Sequence, residues 1–148
     1  MIRVQTAAFD AGAELQALTQ RYPQAGAIAS FVGVVRADGA TVTSLELTHY
    51  PGFTERVVAE IAFAALTRFA LDGLSVIHRY GLLASGAPIV FVGAAAPHRR
   101  AALDAVDYLM DRLKTEAPFW KCETGPAGSR WVEPRDTDHA DRARWNDA

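Results

Sequence analysis

Residues 113–123 read LKTEAPFWKCE and contain both lysines of the chain, Lys114 and Lys121; the other thirteen basic side chains are arginines. The distinction is chemical. A lysine amine has a reference pKa of about 10.4 that burial and neighbouring cations lower, so it can act as acid, base or nucleophile near neutral pH. An arginine guanidinium stays charged and will not give up its proton. The two lysines are therefore candidates for proton-transfer chemistry. Each also has a plain structural reading. Lys114 suits the last turn of a helix, where a cation complements the dipole. Lys121, between Trp120 and Cys122, could be a solvated strand residue.

A second group lies in PHRRAALDAV, where His98, Arg99 and Arg100 occupy the opening turn of a helix. Cations are disfavoured at that positive end. A bound anion would offset the cost, because free backbone N–H groups and the basic side chains would hold it together, as proteins hold phosphate. A solvated basic turn is the other reading. Arg36 ends the apolar stretch FVGVVR and becomes a third anion-binding candidate only if the fold brings it to His98 and Arg99. Cys122 alternates away from Lys121 and reads as a packed thiol. The four histidines, His49, His78, His98 and His139, show no metal-ligand spacing, so no metal is expected. His49 and His78 sit on or at the ends of strands, where a structural histidine is the default. There is no P-loop, GxGxxG or GxSxG motif.

The elements that must position these residues can be read from the pattern. After a short N-terminal strand, Asp10 caps a helix reaching about Tyr22, and Pro23 stops it. GAIASFVGVVR (26–36) is a buried strand, followed by the turn-like ADGA and a second strand, 42–50. Pro51-Gly52 precedes a helix over about 54–70, with Val57, Ile61, Ala64, Ala65 and Phe69 near a 3.6 period. Strands follow at 74–81 and 88–96, separated by LLASGA. A long helix spans about 98–116, and Pro118 turns the chain into the strand PFWKCE. Helices interleaved with strand pairs predict an α+β fold with a ferredoxin-like core, a mainly antiparallel sheet covered by helices and further strands near the C-terminus. One domain is expected over 1–148, with residues after about 136 as a loose or partner-dependent tail.

Composition narrows the function. The chain has 148 residues, half of them hydrophobic, and a net charge of -2 with acids and bases interspersed. No field calls for nucleic acid or an anionic membrane. The longest apolar runs fall well short of the roughly 20 residues of a membrane span. A lone cysteine and an N-terminus without signal-peptide features predict a cytoplasmic protein.

The series GAIASFVGVVR, LELTHYPGFTE, VIHRYGLL, PHRRAALDAVDYLMDRLKTEAPFWKCE and GSRWVE, from about residue 25 to 135, strongly resembles the large, catalytic subunit of molybdopterin synthase. The resemblance implies a ferredoxin-like (hammerhead) α+β fold. It also implies an enzyme that converts cyclic pyranopterin monophosphate into molybdopterin by inserting two sulfurs as a dithiolene, with no cofactor of its own. The sulfur would come from the C-terminal Gly-Gly thiocarboxylate of a small ubiquitin-like partner, and the large subunit would form a homodimer at the centre of a heterotetramer. Carried over by position, Lys114 and Lys121 match the reaction-centre lysines, and Arg36, His98 and Arg99 match the group holding the substrate's phosphate and pterin. Arg135 matches an arginine that reaches the neighbouring protomer's site. Val34, Val35, Cys122 and Glu123 would line the substrate site. Val34 departs from the family, which often has a lysine there, so that side chain's substrate contact is absent; Cys122 would contribute backbone or lining alone. Two other readings stand beside this one. One is a non-catalytic scaffold for a ubiquitin-like tail or phosphorylated ligand, whose lysines would point away from the phosphate site. The other is an unrelated phospho-ligand enzyme that works without a small partner.

Overall fold

The structure, a computed structural model, describes residues 1–36 and 43–146. The expected ADGA turn and Val42 lie outside the described residues. The elements in chain order are β1 (Ile2–Gln5), α1 (Ala11–Arg21), β2 (Ala27–Val34), β3 (Ser44–His49), α2 (Phe53–Arg68), β4 (Gly73–Arg79), β5 (Gly81–Ala84), β6 (Pro88–Ala96), α3 (Arg99–Glu116), β7 (Phe119–Gly125), β8 (Gly128–Val132) and α4 (Asp136–Ala143). They form two four-stranded sheets, ordered β1-β4-β6-β2 and β5-β3-β7-β8. The pairing of β1 with β4 is parallel and every other pairing is antiparallel. The α+β architecture, its mainly antiparallel sheets and the added C-terminal strands are those expected from the sequence.

The first sheet is the scaffold. β6 reads as an unbroken apolar run because both of its faces are covered. Val90, Val92 and Ala94 pack into the main core with Val58 and Ile61 of α2 and Leu109 of α3. Phe91 and Gly93 face the other way, where a side chain on Gly93 would meet Leu18 of α1 at 2.6 Å. The helices begin where the sequence places them. Asp10 accepts the Ala13 N–H at 2.9 Å, and the Glu55 carboxylate accepts the Gly52 N–H at 2.6 Å. Among the described residues no helix is long and apolar enough to cross a membrane.

Three expectations need correction. β2 and β3 are not partners: β2 pairs with β6, whereas β3 pairs with β5 and β7. At the end of β2 the register with β6 slips between Gly33 and Val34. The next residue, Val35, packs with Leu47 and Leu83 of the second sheet, so the chain leaves one sheet for the other's core. The LLASGA connection contains β5, a short edge strand on β3. Finally, residues 136–146 are not a loose tail. α4 packs on α3, with Arg142 paired to Glu116 and the Arg144 Nη2 2.8 Å from both Asp107 and Asp111. Trp145 sits edge-on to Phe69 and Tyr108, and its Nε1 donates to Asp111 at 2.7 Å. The helix is held by contacts distant in sequence, with no buried face of its own.

Candidate active site

Lys114 stands in the last turn of α3, and Ala117, with extended backbone, ends the helix before Pro118. The turn that follows is pinned from a third element. The buried Thr54 hydroxyl donates to the Pro118 carbonyl at 3.1 Å while accepting the Tyr50 N–H at 2.9 Å. β7 therefore starts at a fixed angle to α3, and seven positions of chain fold back so that both lysines face one opening.

Lys121 lies opposite Leu47 on β3 and Val132 on β8. Directly paired residues of antiparallel strands share a face about 5 Å apart, so its stem runs between apolar neighbours. Burial is the main force lowering the Lys121 pKa; the Lys114 ammonium lowers it further, and Asp138 acts against both. A partly desolvated amine beside another cation releases its proton more readily than a free lysine does.

Two cavities meet at these residues. The first, about 450 Å³, is rimmed by the β7–β8 turn and by Glu123, Arg130, Glu133, Arg135 and Asp138. The second, about 690 Å³, is walled largely by apolar side chains such as Phe31, Val32, Ile89, Met110 and Phe119. Val34, Arg36, Lys114 and Lys121 line both. The second cavity also holds His78, whose ring stacks on Phe119 with centroids 3.9 Å apart. Its Nδ1 donates to the Arg79 carbonyl at 2.9 Å in the neutral tautomer that a buried ring favours. Burial lowers the His78 pKa to about 4, the Arg79 carbonyl opposes the shift, and Lys121 adds to it. His78 is thus a hydrogen-bonded neutral ring, in line with the structural reading of its sequence.

The other expected site residues divide. Arg36 and Glu123 reach the cavities with the lysines. Val34 exposes its side chain there, whereas Val35, only 2% exposed, points into the apolar cluster with Leu47 and Leu83. Val34 and Val35 are neighbours on extended backbone, so alternation sends their side chains to opposite faces. Cys122 lines neither cavity, because alternation turns it to the face opposite Lys121. Arg135, expected at a neighbouring protomer's site, lines the first cavity of its own chain, because β8 runs back along β7 and delivers it beside Asp138. His98 and Arg99 are exposed at the far end of α3 and line neither cavity. Lys114 lies sixteen positions after His98 along α3, about 24 Å at 1.5 Å per residue. Arg36 is at the opposite end of β2 from Gly26, whose missing Cβ lets Pro97 O approach to within 2.0 Å of where that atom would stand. One chain therefore cannot bring His98 and Arg99 to its own Arg36 and lysines. Sequence reasoning missed Asp138. The available signal was Pro134 followed by acidic residues, a helix-start pattern.

Comparison with known proteins adds the following. The family model described as "MoaE protein" matches residues 4–116. The Pseudomonas aeruginosa molybdopterin synthase catalytic subunit is 51% identical over 148 residues, covering 99% of each chain. The structure of the molybdopterin biosynthesis MoaE protein from Burkholderia ambifaria MC40-6 superposes with a TM-score of 0.85 at 47% identity, covering 100% of this chain and 99% of that one. A chain of the Helicobacter pylori 26695 complex of subunits 1 and 2 of molybdopterin-converting factor shares the fold at 20% identity, with a TM-score of 0.76 and coverage of 90% and 91%.

Proposed function

The chain belongs to the MoaE protein family, and from that premise we propose how it works as the catalytic subunit of molybdopterin synthase. It transfers sulfur from the C-terminal thiocarboxylate of a small ubiquitin-like subunit to cyclic pyranopterin monophosphate, forming the dithiolene of molybdopterin. The observation carrying this reading is that the chain's two lysines share one opening with Arg36 and Arg135 where the two cavities join. Substrate phosphate and thiocarboxylate are both anions, and cations at the junction offset their repulsion and orient them. The donor's sulfur attacks an electrophilic carbon of the substrate: a carbon–sulfur bond forms, a carbon–oxygen bond at that carbon breaks, and the leaving oxygen takes the electron pair and a proton from a lysine. The partner stays attached as a thioester through its own acyl–sulfur bond. Water then cleaves that bond, leaving sulfur on the substrate and a carboxylate on the partner.

Lys121, the more buried amine, moves protons at the attacked carbon and faces the oxyanion formed as water adds to the acyl group. Lys114 holds the phosphate side. Arg36 and Arg135 bind phosphate from the same chain. Because His98 and Arg99 stand about 24 Å away along α3, they serve this site from the second copy of a homodimer, where the amides at the start of α3 add to the clamp. Residues 1–148 act as one domain, with α4 part of the site rather than a tail. The cytoplasm is the compartment that suits a lone cysteine and a thioacid donor.

Lys121→Arg keeps the charge and removes the exchangeable proton. With thiocarboxylated partner and cyclic precursor, it should form dithiolene at least on the order of a hundredfold more slowly, the usual scale of general acid–base catalysis. Near-normal formation would sink the proton-transfer role.

A further inference from the structure

Asp138 occupies the first turn of α4 and reaches into the first cavity. Both of its oxygens are committed: Oδ2 accepts the Arg135 N–H at 2.8 Å, closing the turn, and Oδ1 lies 3.6 Å from the Lys114 Nζ. The carboxylate is the fixed partner of the two, with a side chain 16% exposed against 50% for Lys114. We propose that Asp138 is a positioning residue for the lysine pair: its carboxylate anchors the Lys114 ammonium as a stationary cation and leaves Lys121, on β7, as the amine that exchanges the proton. The proposal deepens the sulfur-transfer reading and rests on it for the role of the pair.

The charges facing the pair from every side leave this task to Asp138. From α3, Glu116 is taken by Arg112 and Arg142. From β7, Glu123 is taken by Arg130 at 3.0 Å. Glu133 faces the first cavity with no ion pair among the described residues and is solvent-exposed. Arg36 from the end of β2 and Arg135 before α4 add positive charge, and His78 on β4 adds none while neutral. Asp138 is thus the carboxylate among the described residues that is ion-paired to a lysine. Burial raises its own pKa, but the Arg135 N–H and the two lysines more than offset this and hold it ionised. Toward Lys121 it acts in the opposite sense to burial and to Lys114. The same carboxylate that immobilises one lysine therefore limits how readily the other sheds its proton.

Because the chain has two lysines, protein labelled with 13C-lysine yields two Cε signals, assigned with Lys114→Arg and Lys121→Arg. Asp138→Asn keeps an oxygen to accept the Arg135 N–H and removes the charge; Asp138→Glu restores the charge on a longer arm. In the full-length dimer, the Lys121 signal should titrate at lower pH in Asp138→Asn than in wild type and return toward wild type in Asp138→Glu. The Lys114 Cε should relax as a freer side chain in Asp138→Asn. An unchanged Lys121 titration in Asp138→Asn, with wild-type far-UV circular dichroism, would reduce Asp138 to a helix cap and overturn the proposal. So would a shift that Asp138→Glu fails to reverse, since it would come from disturbed α4 packing and not from charge. The measurement needs no substrate, so its outcome is separate from that of the dithiolene assay.

Discussion

The separation along α3 makes a prediction that two inactive proteins can test. Lys114 is sixteen positions beyond His98 in one continuous helix, so the amines and the basic turn are about 24 Å apart, further than an arginine side chain can span. If both groups act on one substrate, each site takes its lysines from one copy and His98 and Arg99 from the other. Arg99→Ala spoils the part a chain lends to its neighbour, and Lys121→Arg spoils the part it keeps. Each homodimer then has two defective sites. A heterodimer of the two has one site with both defects and one with neither, because a two-fold assembly exchanges equivalent surfaces. Co-expression with two different tags isolates that heterodimer. With saturating thiocarboxylated partner it should form dithiolene at about half the wild-type rate per dimer, while both parent homodimers stay near background. A heterodimer no more active than its parents, still binding partner normally, would refute the shared site and return His98 and Arg99 to a solvated basic turn.

His78 predicts an acid sensitivity of the fold. Its pKa falls from 6.5 to about 4 on folding, so as pH drops below 6.5 the unfolded chain takes up a proton that the folded one refuses. Stability should fall by about 3 kcal/mol between pH 6.5 and 4 and then level off with respect to this group. Urea melts of wild type and His78→Asn across that range should differ in slope by that amount; parallel curves would show that the ring is not held neutral. Trp145→Ala removes the aromatic contact of α4 with Phe69 and Tyr108 and should cost about 2–3 kcal/mol as a partly buried aromatic truncation. It should also slow dithiolene formation through loss of the Asp138 contact, and full activity with α4 protease-sensitive would argue against coupling between that helix and the lysines.

How much of this was legible in the sequence depended on whether the determinants were local. α1, α2 and α3 follow from caps, breakers and a 3.6 period, and each begins within about two residues of the expected place, the usual uncertainty of helix ends. β6 follows from its apolar run. The lysines were conspicuous by composition and were placed correctly on a helix end and a strand. What failed was set at a distance. β2 and β3 fall in different sheets because their partners, β6 for one and β5 and β7 for the other, lie far along the chain, and Val35 is buried against Leu47 and Leu83 of the second sheet. β5 is four residues long, with Leu83 buried and Leu82 73% exposed, too little pattern to register as a strand. α4 has no buried residue of its own and is held to α3 by ion pairs and by Trp145 just beyond its end. Asp138, carried by that helix, was hidden for the same reason.

The use of arginine nearly everywhere else now has a physical consequence. Among the described cations around the junction, Arg36, Arg130 and Arg135 cannot give up a proton near neutral pH, so in the proposed reaction they would hold anions without competing for the proton that Lys121 moves. Lys114 is ion-paired with Asp138 at 3.6 Å. That leaves Lys121, unpaired by any carboxylate of its own among the described residues and set between Leu47 and Val132, as the amine whose surroundings favour release. A third lysine in place of Arg36 would keep the charge but add another exchangeable proton beside it, and Lys121 would then share the titration that sets the rate. The expected signature of Arg36→Lys is a broadened, two-step Lys121 titration with substrate binding weakened by loss of the planar guanidinium fork; a single unshifted step would mean that Arg36 stands outside the electrostatic field of the pair.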